Sequence, residues 1–238
     1  MKILMTGSAG LMGSEIQKVD PEIIATDVAE LDITNKDQVI EVLQKEKPDV
    51  VIHLAAFTQP PEHEKNPEPG LEINIKGTAN IVLGCHQIGA KLVYTSTDYL
   101  YTGPGPHKED EAILTPYKFG WSKVGGECAV RMIDNHLILR LSFGPIPFPW
   151  EKVYEDQFNS KLYVDEMAPL IVQAAKSEAT GVMNLGGPRN SLEDYAKRTR
   201  SDIETIPRPE RVPQDTSLDI SKMKKFLEID DETKLFKH

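Results

Sequence analysis

Five short apolar runs alternate with segments of helical periodicity along the chain, and this alternation narrows the fold to one class. The runs are KILMT (2–6), EIIATD (22–27), DVVIHLAA (49–56), KLVYTST (91–97) and HLILRLS (136–142). They are apolar at consecutive positions rather than at alternate ones. Strands of that kind are buried on both faces, as in parallel sheets covered by helices. The segments between them, 10–18, 35–46, 70–88 and 117–134, carry apolar residues at helical spacing. The pattern predicts an α/β protein with a Rossmann-type, doubly wound parallel sheet.

The character of the chain changes after Leu141. Pro145, Pro147 and Pro149 crowd the stretch 144–157, which reads as an irregular linker or lid. Helices are predicted at 165–177, 191–200 and 219–228, whereas IPRPERVPQD (206–215) holds too many prolines for regular structure. The expected division is a dinucleotide-binding domain over 1–145 and a small substrate lobe over 146–238.

The 27 Lys and Arg against 37 Asp and Glu give a net charge of −10, with no dense basic block. That balance argues against nucleic acid or an anionic membrane as partner. Cys85 and Cys128 make neither a disulfide framework nor a zinc pattern, and His53, His63, His86 and His107 show no metal spacing. No metal is expected. The opening MKILMTGSAGLMG has too short an apolar core for a secretory signal, and no run reaches the roughly 18 apolar residues of a membrane span. A soluble, cytoplasmic protein is expected.

The first apolar run leads straight into TGSAGLMG, where Gly7, Gly10 and Gly13 stand three apart and a helix begins. Small residues let the backbone approach a pyrophosphate, and the helix start offers free N–H groups and partial positive charge. Asp27, at the end of the second run, is placed to accept hydrogen bonds from the adenosine ribose and to repel a 2′-phosphate. NAD(H) is therefore expected over NADP(H). Asp32 and Ile33 follow in LDITN. Either they hold and cover the adenine, or Asp32 belongs to a helix start that Thr34 or Asn35 caps.

The chain resembles the extended short-chain dehydrogenase/reductase superfamily. The likeness is carried in order by TGSAGLMG, VIHLAA (51–56), Asn74 in INIKGT, YTSTDYLY (94–101) and FGWSKVGGE (119–127). LYVDEMA (162–168), MNLGGP (183–188) and VPQDTSLDISK (212–222) fit too, the last looking like the dTDP-4-dehydrorhamnose reductase branch. Asp98 is followed by Tyr99, not by the Glu of sugar-nucleotide dehydratases. The resemblance extends the coenzyme wall to Leu11, Met12, Leu54, Ala55 and Ala56. It places Thr58, Tyr99 and Phe143 against a sugar-nucleotide substrate, with core packing an equal reading for Phe143. It gives Asn74 the role of supporting the active-site backbone, and it implies a homodimer through helices 70–88 and 117–134. Arg140, a charge at the end of a buried strand, pairs either with a phosphate or with a local acid, and the structural pair is the preferred reading. The segment from Ser142 to Leu162 is short for the branch, which implies a more open cleft.

The family's catalytic set is Ser or Thr, then Tyr and Lys four apart on one helix face. The Lys lowers the Tyr pKa and holds the nicotinamide ribose, the Tyr moves the proton, and the Ser or Thr steadies the carbonyl oxygen. Thr97 and Lys123 fall on this set, but Phe119 stands where the Tyr belongs. Phe keeps the ring and removes the hydroxyl. Tyr117, two residues earlier, is turned by about 200° on a helix and cannot simply replace it, an argument that weakens if 117 precedes the regular helix. Three readings stay open at this point: an introduced replacement in a reductase, another proton donor, or a dinucleotide-binding protein without catalysis. The regulatory subunit of methionine adenosyltransferase resembles the same branch and fits the last. The leading expectation is an NAD(H)-dependent 4-keto-6-deoxy sugar-nucleotide reductase impaired at Phe119. The alternatives are a dinucleotide-binding regulatory protein and a sugar-nucleotide epimerase.

Overall fold

Strand and helix alternate from the first residues of the computed structural model, which describes residues 1–238. In chain order come β1 (Ile3–Thr6), α1 (Leu11–Val19), β2 (Ile24–Thr26), α2 (Lys36–Glu46), β3 (Val50–His53) and α3 (Pro60–Lys65). A π-helix (Gly70–Gly77) then runs into α4 (Thr78–Ile88), followed by β4 (Lys91–Thr97), α5 (Lys118–Val130) and β5 (His136–Leu141). β1, β3 and β4 are buried at every position, as their unbroken apolar character requires. Asn35 caps α2 by accepting a hydrogen bond from Gln38 N at 3.2 Å. Gly89 ends α4 with φ at 75°, a left-handed turn suited to glycine.

Two elements here depart from the sequence expectation. α3 was not anticipated, because PPEHEK has no apolar periodicity; its start is set by proline in the first turn. The predicted single helix over 70–88 begins instead as eight residues of π-helix. Such wide turns concentrate at functional sites, and this one carries Asn74.

Beyond β5 the chain forms β6 (Phe143–Gly144), β7 (Lys152–Tyr154), β8 (Phe158–Asn159) and β9 (Leu162–Tyr163), then α6 (Val164–Lys176) and β10 (Gly181–Leu185). β11 (Asn190–Ser191), α7 (Leu192–Lys197), β12 (Glu204–Ile206) and α8 (Ser221–Phe226) complete the order. The main sheet has six parallel strands in the order β10-β5-β4-β3-β1-β2. The chain past 146 is not confined to short strands beyond the sheet. α6 and β10 lie within 146–238, yet β10 pairs along β5 and α6 packs on α1. Asn184 hid this sixth strand by interrupting its apolar run; the buried side chain donates to His107 O (2.8 Å) and Asp219 O (3.2 Å).

One face of the sheet packs on α1 and α6 through Met5, Ile16, Leu139, Met167 and Ile171. The other packs on α2, α4 and α5 through Leu4, Leu43, Val51, Ile81 and Tyr94. A smaller cluster of Phe148, Val153, Tyr163 and Tyr195 holds the short strands together beyond the sheet. No helix is long and apolar enough to cross a membrane.

Candidate active site

β2 and β3 flank β1 on opposite sides, so the strand order reverses at β1. In open α/β sheets the crevice outside the carboxyl ends of the strands at such a reversal is where ligands bind. A cavity of about 740 Å³ lies there. Gly7, Gly10, Leu11, Met12, Gly13, Asp27, Asp32, Ile33, Leu54, Ala55 and Ala56 line one part of it. Thr58, Thr97, Tyr99, Phe119, Lys123 and Phe143 line the rest. Residues from eight separate stretches of sequence are thus brought to one cleft.

The glycine end is built for close approach. Gly7 has φ at 73°, and a Cβ there would sit 2.7 Å from Ala55 N. A Cβ on Gly13 would sit 2.5 Å from Gly7 O. Gly10 caps α1 without any side-chain bond, so the first-turn N–H groups face the cleft free of an internal acceptor. The Asp27 carboxylate is fixed by the loop itself, accepting from Ala9 N (2.9 Å) and Val28 N (2.8 Å). Asp32 accepts from Thr34 N (2.9 Å) and Thr34 Oγ1 (2.8 Å), while Asn35 does the capping. Both Asp32 and Ile33 still line the cavity. The only Lys or Arg side chains on its wall are Lys123 and Lys161.

The other end gathers Thr97, Phe119 and Lys123, the positions expected to be catalytic. Thr97 closes β4, where its Oγ1 accepts from Tyr99 N (3.2 Å) and donates to Asp98 Oδ1 (3.3 Å). Phe119 and Lys123 lie one turn apart on α5, both buried. The Phe119 ring meets the His63 ring edge-on at 5.4 Å. Lys123 Nζ stands 4.4 Å from the centroid of the Tyr94 ring. Burial holds the Lys123 ammonium far below the ordinary lysine range, at about 7, against the opposing pull of Glu127. Tyr117 precedes the regular helix, donates its hydroxyl to Arg211 O at 2.5 Å and does not line the cavity.

A layer of polar groups fixes these residues from behind. Asn74 is fully buried; it accepts from Phe57 N (2.7 Å) and donates to Phe57 O (3.0 Å) and Ser122 Oγ (2.8 Å). It therefore ties the loop after β3 to α5. His53 bonds Thr6 Oγ1 (2.7 Å) and Thr78 Oγ1 (3.1 Å), and burial together with the nearby Lys123 charge pushes its pKa down to about 3. Arg140 forms a buried two-point pair with Glu127 (3.0 and 2.8 Å), which agrees with the structural pair read from the sequence.

Sequence reasoning missed three groups on the cavity wall. Ser96 Oγ is buried there with no partner. Asp98, buried and bonded by Thr216 Oγ1 at 2.8 Å, has its carboxyl pKa raised by burial. Lys161 reaches the wall from the segment before β9. The only sequence signal for Lys161 was a lone charge just ahead of the apolar LYV. The orphaned hydroxyl, the glycine cradle and the uncapped helix start together fit a nicotinamide dinucleotide.

Residues 1–144 match the family model described as the RmlD substrate binding domain. The dTDP-4-dehydrorhamnose reductase of Aggregatibacter actinomycetemcomitans is 29% identical over 203 residues, covering 76% of this chain and 69% of that protein. The Salmonella typhimurium protein of the same name is 34% identical over 155 residues, covering 60% of this chain and 51% of its own length. Among solved structures, dTDP-4-dehydrorhamnose reductase from Bacillus anthracis in complex with NADP superposes with a TM-score of 0.84. That pair is 26% identical, covering 94% of this chain and 92% of the other.

Proposed function

The chain belongs to the family of the RmlD substrate binding domain, and on that premise we propose that it is a nicotinamide-dependent reductase of a 4-keto-6-deoxy sugar nucleotide. The observation that carries this reading is the single cleft in which the glycine cradle, Thr97 and Lys123 meet. When bound, the coenzyme supplies a hydride to the sugar carbonyl carbon. Gly7, Gly10 and Gly13, with the first turn of α1, receive its pyrophosphate. Lys123 receives the nicotinamide ribose. Thr97 Oγ1 donates to the carbonyl oxygen, exchanging its long bond to Asp98 for one that strengthens as negative charge develops. Tyr99 and Phe143 cover the sugar, and Thr58 meets its polar periphery. In this proposal residues 1–145 form the dinucleotide-binding domain, whose Thr58, Thr97, Tyr99 and Phe143 also meet the sugar, and 146–238 form the small lobe that closes the substrate side.

NAD(H) is the preferred coenzyme in this proposal. The Asp27 carboxylate is already pinned at the ribose end, and no Lys or Arg stands beside it to take a 2′-phosphate. Exposed Leu71, Leu83 and Trp121 on the π-helix, α4 and α5 support a homodimer through these helices.

The test is loss of NADH absorbance with a dTDP-4-keto-6-deoxy sugar, run with the natural chain and with Phe119→Tyr. Turnover in either chain, with a tighter Kd for NADH than for NADPH by calorimetry, supports the reading. Coenzyme binding without turnover in both chains favours the regulatory alternative.

A further inference from the structure

Phe119 leaves the reductase without the hydroxyl that would deliver a proton, and the cleft holds an ammonium that nothing else in the protein uses. The parallel pairing of β6 with β9 sets Phe143 against Leu162, so Lys161 stands beside Ser142. Ser142 follows Leu141, which is the register partner of Thr97. Lys161 is therefore rooted beside the end of the strand that neighbours Thr97, the residue proposed to bind the carbonyl oxygen. Its backbone is fixed: the N–H donates to Asn159 Oδ1 (3.0 Å), and β8 and β9 on either side are paired. Its side chain passes Gly144, with Cδ 3.9 Å from where a Cβ would stand, and lines the same cavity as Thr97, Phe119 and Lys123. The Nζ forms no hydrogen bond and no ion pair within the protein, and its distance to the Tyr195 ring centroid is 5.9 Å.

From this placement, and resting on the reductase reading above, we propose that Lys161 is the proton donor to the substrate carbonyl oxygen. The carbonyl carbon gains the hydride, leaving the coenzyme oxidised. The carbonyl π pair moves to oxygen, that oxygen takes a proton from Lys161 Nζ, and the resulting neutral amine recovers its proton from water. Asp98 supports the charged form through space, whereas burial opposes it and leaves the ammonium more acidic than an exposed lysine. The other ionisable groups on the cavity wall are Asp27 and Asp32 at its glycine end, Tyr99 after β4 and Lys123 on α5, while Tyr195 on α7 lies off the wall near Lys161. Of these, Tyr99 is held protonated by burial, and the ammonium of Lys123 lies back over the Tyr94 ring.

The experiment compares Lys161→Met and Lys161→Arg in the natural chain and in Phe119→Tyr. Circular dichroism confirms folding, and calorimetry follows NADH binding. With phenylalanine at 119, Lys161→Met lowers kcat by about 10²-fold or more at unchanged NADH affinity. Lys161→Arg, which keeps the charge but holds its proton, loses kcat while KM is retained. In Phe119→Tyr the same Lys161→Met change costs at least ~10-fold less, because the phenol supplies the proton. A readout independent of turnover is acylation of Lys161 by acetic anhydride against pH, followed by peptide mass spectrometry. Its midpoint falls below that of an ordinary exposed lysine. Equal losses in both backgrounds with a raised KM make Lys161 a substrate anchor and overturn the proposal, as does an ordinary acylation midpoint. An inactive natural chain beside an active Phe119→Tyr also overturns it while leaving the reductase reading intact. Coenzyme binding with no turnover in either background sinks that reading itself, and this proposal with it.

Discussion

Replacing Lys123 by methionine is expected to stabilise the protein at neutral pH, and the gain should fade as the pH rises. Lys123 is 4% exposed and has an aromatic face at 4.4 Å but no carboxylate in ion-pair contact. Its pKa of about 7 in the folded chain compares with 10.5 for a free lysine. At 1.36 kcal/mol per pH unit, that difference corresponds to a folding penalty on the order of 5 kcal/mol. The sign follows from which state binds the proton. Between 7 and 10.5 the unfolded chain is protonated at this site and the folded one is largely neutral, so raising the pH relieves the penalty. Below 7 both states are protonated and the penalty is constant. The measurement is urea unfolding of the natural chain and Lys123→Met, without coenzyme, from pH 6 to 9.5. The stability gap should favour Lys123→Met by a few kcal/mol at pH 6 and narrow by about 2 kcal/mol between pH 8 and 9.5. A gap of constant size across this range would refute the reasoning, whatever its sign.

Glu127→Gln leaves the fully buried Arg140 guanidinium without its anion, at a cost of about 3–5 kcal/mol, or roughly 6–20 °C in Tm by calorimetry. The same change removes the charge that raises the Lys123 pKa, so the Lys123 ammonium should titrate lower still, as followed by NMR of the methylated lysine. Gly13→Ala forces a methyl group against Gly7 O and Ser8, with a packing cost of about 1–3 kcal/mol. Thermal melting should show a lower Tm, and added NADH should no longer give the rise in Tm expected for the natural chain.

The coenzyme end of the cleft was legible because its demands fall on sequence neighbours. A glycine triplet between an apolar run and a helix states the local geometry directly, and Asp27 marks the end of the next strand. Phe119 was legible for the same reason, since the Lys four residues on defines the helix face it shares. Lys161 was not. It enters the cleft through the pairing of β6 with β9, two elements of two residues each, too short to leave a periodic signal. Asp98 was read only as a contrast to the dehydratases, because nothing local reveals that Thr216 lies against it. The sixth strand was obscured by Asn184, a polar residue whose partners, His107 and Asp219, are remote in the chain. What the sequence hid, then, is what long-range pairing decides.

β10 returns to the sheet after an excursion of some forty residues and takes the position outside β5. The region matched by the family model ends at 144, before that return. A fragment cut there would lack α6 against α1 and would present the long apolar β5 as a bare, unpaired border, open to sticking to other copies. The six-stranded sheet is therefore complete only with residues past 144. Strands β6 to β9 hang as a loop from two adjoining strands of one sheet, so they are held at both roots rather than tethered at one.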